Sequence, residues 1–215
     1  LHRGVSQIDV VPGKTPVISF KLDGDSRTLR PRIVVGADGR ASSVRKNIGV
    51  ELNTDPVVHF FCGMLVEGIE DLSEMISLTG TEQDVHYTLF PQGPGKARLY
   101  LGIAPDQASR FAGEGGPDKF MEVYRSLNMP FAECFRPARP AGPCAAFPNA
   151  DRWVSQPYVD GVVLIGDAAG HIDPLIGQGL ANTFRDVRIV RDLLIENDTW
   201  TESTFAAYAE ERQER

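Results

Sequence analysis

The sequence predicts an α/β fold, with buried parallel strands that end in carboxylates and a β-rich unit inserted between them. Three observations predict it. Val162 to Ile165 is a short, fully apolar run that stops at Gly166-Asp167 and leads through Pro174 and Gly177-Gln178-Gly179 into a helical pattern. Ile33 to Val35 repeats the arrangement, with Gly36 and then Asp38-Gly39 behind it. Between the two, residues 51–150 carry strand-like runs broken by glycine- and proline-rich turns. Short apolar runs bounded by turn residues read as buried parallel strands.

The elements follow in chain order. Val5 to Val11 and Val17 to Leu22 are expected strands, joined by Pro12-Gly13-Lys14-Thr15-Pro16 and turned again at Asp23-Gly24-Asp25. A third strand then leads into Ile33 to Val35, so the start of the chain reads as a small β-meander. His59 to Val66 is a strand candidate, and Val85 to Phe90 with Ala97 to Ile103 form a hairpin around Pro91-Gln92-Gly93-Pro94-Gly95-Lys96. Phe120, Val123, Tyr124 and Leu127 stand at helical spacing and predict an amphipathic helix over 118–128. The segment 137–148, rich in proline and alanine, is read as the crossing back to the first domain. After Gly179, Leu180, Phe184, Val187 and Leu194 line one helix face and are expected to pack on the sheet, with Arg185, Asp186, Arg188 and Arg191 largely off it. Thr199 and Glu202 have capping-box spacing ahead of Phe205 and Tyr208. The expected domains are 1–50 with 151–215, and 51–150.

Composition narrows the function. The chain has 215 residues, 42% hydrophobic and 24% charged, as globular α/β proteins do. Its net charge of −7 argues against a nucleic-acid partner, which calls for a basic face. No apolar run approaches the roughly 18 residues that a membrane span needs. The three cysteines are odd in number and lack metal spacing, so they read as free thiols in a reducing, cytoplasmic setting, with no metal expected. A small molecule is the partner that remains, because open parallel sheets bind ligands outside the carboxyl ends of their strands. Asp167 is delivered to that edge, the glycines around it admit close approach, and the helix after Gly179 points its positive end there.

The segment GDAAGHIDPLIGQG resembles the GD motif of the FAD-dependent aromatic hydroxylases, the single-component flavoprotein monooxygenases. Gly166, Asp167, Ala168, Ala169, Pro174, Gly177, Gln178, Gly179 and Asp186 fall in register. ADGRASSVR resembles the DG motif of the same family through Asp38, Gly39, Ser42, Val44 and Arg45. Asp-Gly is also a common hairpin turn, and Ser42 or Ser43 reads equally as a helix N-cap. The resemblance implies an FAD-binding Rossmann-like domain with an inserted β-rich substrate domain, α+β overall. It implies cofactor contacts from Asp38, Gly39, Ser42, Arg45, Gly166, Asp167, Ala168, Ala169, Pro174, Gly177, Gln178, Gly179 and Leu180. It also implies NAD(P)H as reductant, dioxygen as co-substrate, and a small aromatic substrate near His171 and Phe90. No catalytic side chain is assigned, because the cofactor carries such chemistry.

The chain departs from that family in places. Gly170 stands before His171, and Ala181 replaces an asparagine, with Asn182 next. GDAAG is similar to geranylgeranyl reductases, and GDAA-x-x-I-D-P to flavin-dependent halogenases. Reductases usually carry Glu where Gln178 stands, so Gln178 with Arg185-Asp186 favours the monooxygenase. A non-catalytic binding module of the same fold is the alternative from another class. The sequence contains no G-x-G-x-x-G fingerprint, opens at Leu1 and closes on AEERQER. The Rossmann-like domain is therefore expected to be incomplete, with its first βαβ unit outside these residues. On that expectation the chain alone binds FAD poorly and is inactive.

Overall fold

A computed structural model of the chain describes residues 2–73 and 76–214. It divides into two compact units, Leu1–Asp55 with Asp151–Arg215, and Pro56–Ala150.

The first unit opens with an antiparallel meander of β1 (Ser6–Val11), β2 (Val17–Leu22) and β3 (Asp25–Leu29). Asp23 and Gly24 turn the β2–β3 hairpin with positive φ angles of 55° and 90°, as a two-residue primed turn requires. Then come β4 (Val34–Gly36), α1 (Ser43–Asn47) and β5 (Asn53–Thr54). The crossing into the second unit falls after Asp55 instead of residue 50, because Asn53 and Thr54 pair with Trp153 and Arg152.

The second unit is a sheet with one helix on it. Its strands are β6 (His59–Glu67), β7 (Leu78–Glu82), β8 (Val85–Pro91) and β9 (Lys96–Ile103), followed by α2 (Gly116–Ser126), β10 (Arg139–Pro140) and β11 (Ala145–Asn149). The order is β10-β6-β9-β8-β7, with β11 also on β6. The segment 137–148 is thus not only a crossing, since both of its strands pair antiparallel with β6. Proline is tolerated there because edge pairings leave some N–H positions unused. Cys62, Met64, Leu89, Leu99 and Leu101 face α2 and are buried against Phe120, Met121 and Tyr124. The Tyr124 hydroxyl donates to the Thr88 carbonyl at 3.2 Å. Alternation puts Phe61, His86 and Tyr100 on the opposite face, where Phe61 and Tyr100 meet with ring centroids 5.8 Å apart. Gly63 lies opposite Tyr100, and a Cβ there would come 2.7 Å from the ring, so only glycine lets the ring lie across the strand.

The chain returns to the first unit through β12 (Arg152–Trp153), β13 (Tyr158–Val159), β14 (Val162–Leu164) and β15 (Gly170–His171). It ends in α3 (Gly179–Glu196) and α4 (Glu202–Gln213). β14 pairs parallel with β4, Val162 with Val34 and Leu164 with Gly36. The two apolar runs followed by aspartates are therefore neighbours. Val162 and Leu164 pack with Val34, Val44, Ala168 and Ala169, while Val163 and Ile165 pack with Val190, Phe205 and Tyr208 of the two helices. A strand buried on both faces has no reason to alternate, hence the unbroken VVLI.

Two helix expectations are corrected. On α3 the expected inner face points outward: Leu180 is 73% exposed, Phe184 69% and Val187 44%. Asp186 and Val190 are the buried residues, with Ile189, Leu193 and Leu194 partly packed beside them. A polar anchor on Asp186 sets the rotation of this helix, and helical periodicity does not register such an anchor. On α4 the capping box is Thr201 with Thr204 in place of Thr199 with Glu202. Cys62, Cys134 and Cys144 are free thiols. No helix among the described residues is long and apolar enough to cross a membrane.

Candidate functional site

The site is built at the carboxyl end of β14. Ile165 is still extended, and Gly166 then takes φ 56° and starts a short 3-10 turn, Gly166–Ala168. Left-handed backbone favours glycine, and a Cβ here would also press to 3.1 Å from the Thr183 hydroxyl. The turn is fastened from behind. The Gly166 amide donates to Asp186 Oδ2 at 2.7 Å, and Asp186, fully buried, is ion-paired with Arg212 of α4. The Tyr208 hydroxyl donates to the Leu164 carbonyl at 2.9 Å. Both terminal helices thus clamp the strand end.

With the turn fixed, Asp167 is presented at the cavity edge. Its side chain is 41% exposed and lies 3.5 Å from Nε of Arg40. Ala168 and Ala169 point the other way, into the core. The Ala168 carbonyl accepts from Arg45 Nη1 at 2.8 Å, and Arg45, only 5% exposed, also donates to the Arg40 carbonyl. Arg45 is therefore the tie between the DG segment and the GD turn.

Asp38 is spent locally. Its carboxylate accepts from the Ser42 hydroxyl at 2.5 Å and from the Ser43 and Val44 amides at 2.6 and 3.1 Å. Ser42 is the N-cap of α1 and accepts from the Arg45 amide. Burial would raise the Asp38 pKa, but the hydrogen bonds from Ser42, Val44 and Ser43 outweigh it and hold the carboxyl below its ordinary range. The structure shows Ser42 capping α1.

Beyond the turn, Gly170 takes φ 136°, and a Cβ there would overlap the Arg152 carbonyl at 2.4 Å. His171 pairs with Arg152 across β15 and β12. The Asp173 carboxylate caps the next 3-10 turn by accepting from the Leu175 amide at 2.9 Å. Gly177 (φ 68°) and Gly179 follow, and a Cβ on either would meet nothing within 4 Å. α3 begins with no side-chain cap, so its first amides are open to a ligand.

These parts enclose a cavity of about 650 Å³ within the first unit, a size that suits a small-molecule ligand. Gly166, Asp167, His171, Pro174, Gly177 and Gly179 line it. Among the described residues Asp38, Gly39, Ser42, Arg45, Ala168, Ala169, Gln178 and Leu180 do not. Phe90 belongs to the second unit, on β8, 44% exposed and edge-on to Tyr100 at 6.1 Å. The cavity wall adds Arg40, Arg152 and Arg212, which sequence reasoning missed. Arg40 had a signal, standing directly after Asp38-Gly39, and Arg152 had one in the strand register that sets it opposite His171. The His171 pKa is lowered by burial first and then by Arg40, against an opposing pull from Asp167. The imidazole is thus held neutral more readily than a free histidine.

A carboxylate at a strand end, glycine backbone open to approach and an uncapped helix start form the donor set that a nucleotide with ribose-type hydroxyls calls for. The FAD binding domain family matches residues 6–215. The chain belongs to that family. Its relatives carry several chemistries. Digeranylgeranylglycerophospholipid reductase 2 of Methanothermobacter thermautotrophicus is 30% identical, over 78% of this chain and 42% of its own length. Kynurenine 3-monooxygenase of Salinispora tropica is 25% identical over 90% of this chain and 43% of its own. The solved structure of the myxobacterial chondrochloren halogenase CndH superposes with a TM-score of 0.80 at 16% identity, covering 97% of this chain and 50% of that one. At that identity the likeness speaks for the fold of this FAD-binding family. The chain spans from 38% to 52% of the length of the first curated relatives it matches.

Proposed function

We propose that the chain is the FAD- and substrate-binding part of a monooxygenase that hydroxylates a small aromatic substrate with NAD(P)H and dioxygen. The observation that carries this reading is Asp167, which lines one cavity together with the bare backbone of Gly177 and Gly179. When bound, FAD supplies the redox chemistry, accepting reducing equivalents from NAD(P)H and activating dioxygen. The residues of the chain hold and shape. Asp167 accepts hydrogen bonds from ribityl or ribose hydroxyls, and Arg40 keeps its carboxylate oriented. The uncapped start of α3 offers amides and a positive dipole end to the electron-rich end of the flavin. Pro174, Gly177 and Gly179 line the same cavity and would border the bound flavin. The second unit is the substrate domain, and its face bearing Tyr100 and Phe90 offers ring contacts to a planar substrate.

Reductase and halogenase readings share every cofactor contact named above. Gln178, where reductases usually carry Glu, favours the monooxygenase. The test is to purify the full-length protein, record its flavin absorbance, and follow NAD(P)H oxidation together with oxygen uptake. A yellow protein that consumes both supports the hydroxylase. Flavin with no oxygen uptake favours a reductase, uptake that depends on halide favours a halogenase, and a colourless protein favours the binding module.

A further inference from the structure

One large side chain of the cavity wall has no packing role. Trp153 lines the cavity from β12 and is 37% exposed. Tryptophan rings contribute to stability chiefly through the area they bury. The chain's other tryptophan follows that rule. Trp200 packs against the cluster of Tyr158, Phe205 and Tyr208, and the Arg32 guanidinium lies over its ring at 4.4 Å. Trp153 belongs to none of the core clusters. Among the described residues its ring stacks on no second ring, lies under no cation, and its indole N–H finds no acceptor.

The sheet around Trp153 gives the ring little cover. Its ladder neighbours are Gly170 on one side and Asn53 on the other. Gly170 has no side chain, and the Asn53 amide is turned to the Trp153 carbonyl and the Ser155 hydroxyl, at 3.3 and 3.1 Å. Nor does the cavity select a ligand by net charge, since Arg40, Arg152 and Arg212 stand against Asp55, Asp151 and Asp167. What distinguishes the wall is a flat, electron-rich ring that shares the cavity with the bare backbone of Gly177 and Gly179. Such a ring stacks on another flat π-system, and the stacking tolerates different heterocycles because each has a π-face.

We propose that Trp153 is a stacking platform for a planar nitrogen heterocycle of the bound ligand. The inference rests on this cavity being the cofactor site of the proposed flavoenzyme. FAD brings two rings of the required chemistry, the isoalloxazine and the adenine.

The experiment titrates the full-length apoprotein with FAD, FMN and ADP, as wild type, Trp153→Phe and Trp153→Leu, and records the emission of the bound flavin. Trp153→Leu should weaken FAD about five- to hundredfold, the range carried by one stacked ring. Trp153→Phe keeps a flat ring and should lose less. Emission separates contact from support, because an indole touching the isoalloxazine quenches its fluorescence and a phenyl ring does not. With the isoalloxazine on the platform, bound flavin should brighten in both variants, and FMN affinity should fall as FAD affinity does. With the adenine on the platform, ADP affinity should fall instead, and flavin emission should stay as in wild type. Thermal melting of the apoproteins reports folding and should move little, since Trp153 belongs to no core cluster. Should Trp153→Leu fail to fold, Trp153→Phe still carries the emission and ADP tests. Equal FAD affinity in wild type and folded Trp153→Leu overturns the proposal. So does a loss that Trp153→Phe does not lessen, with flavin emission and ADP affinity both unchanged. A wild type that binds none of the three ligands defeats the flavin reading itself, an outcome distinct from equal binding by wild type and variant.

Discussion

Substituting Arg212 by methionine tests whether the clamp behind the GD turn holds the first unit together. Asp186 is fully buried and the Arg212 side chain is 12% exposed, so neither charge is shielded by water. Removing the cation strips a buried carboxylate of its Arg212 partner, a change that costs about 3–5 kcal/mol. For a chain of this size each kcal/mol moves the melting temperature by about 2–4 °C, so Arg212→Met should lower it by roughly 6–20 °C. The exposed pair Arg27–Asp25, with side chains 56% and 74% accessible, serves as control, and Arg27→Met should cost at most about 1 kcal/mol. The double variant Asp186→Leu with Arg212→Met removes both charges and should regain much of the loss. Melting would be followed by circular dichroism, with the Gly166 amide resonance as a local reporter of the turn. A drop for Arg212→Met no larger than that of Arg27→Met would refute the reasoning, since the pair would then behave as a surface contact.

Three further outcomes follow from the same geometry. In the full-length protein Asp167→Ala should cut FAD affinity about ten- to hundredfold through loss of a charge-assisted hydrogen bond, with little change in melting, as flavin content on purification would show. Gly170→Ala combines a backbone conformation worth about 1–3 kcal/mol of strain with a Cβ 2.4 Å from a carbonyl. Its urea midpoint should fall with an unchanged slope. The depressed pKa of Asp38 means that its ionised form stabilises the fold above the ordinary aspartate pKa. That contribution is lost as the pH falls through the lower, folded value. Asp38→Asn should therefore flatten the acid limb of a stability–pH profile and be less stable than wild type at neutral pH.

The parts of the fold that read plainly in the sequence are those where one residue pattern has one physical solution. VVLI before Gly-Asp can only be a buried strand end, and Asp-Gly flanked by Leu22 and Asp25 can only be a tight hairpin. What escaped depends on partners distant in sequence. LTGTE carries no strong strand signal, yet β7 forms because β8 offers it an edge. The rotation of α3 follows from Asp186 reaching Gly166, which no periodicity contains. In the candidate site, Asp167, His171 and the glycines at 177 and 179 were legible as a motif. Arg40, Arg152 and Arg212 were not, because a cavity wall assembles from strands and helices whose register only the folded chain defines. Asp38 illustrates the converse, a motif residue whose carboxylate is engaged in capping α1.

The clamp also makes α4 a sensor. Gly166 is held by Asp186 and Arg212 on one side and carries Asp167 to the cavity on the other. A ligand gripped by Asp167 and the docking of residues 202–213 therefore draw on one shared conformation, and each must favour the other by the same free energy. Amide exchange along α4 should slow when the cavity is filled. Loosening this helix would release ligand both by freeing the turn that carries Asp167 and by withdrawing Arg212 and Gln213 from the cavity wall.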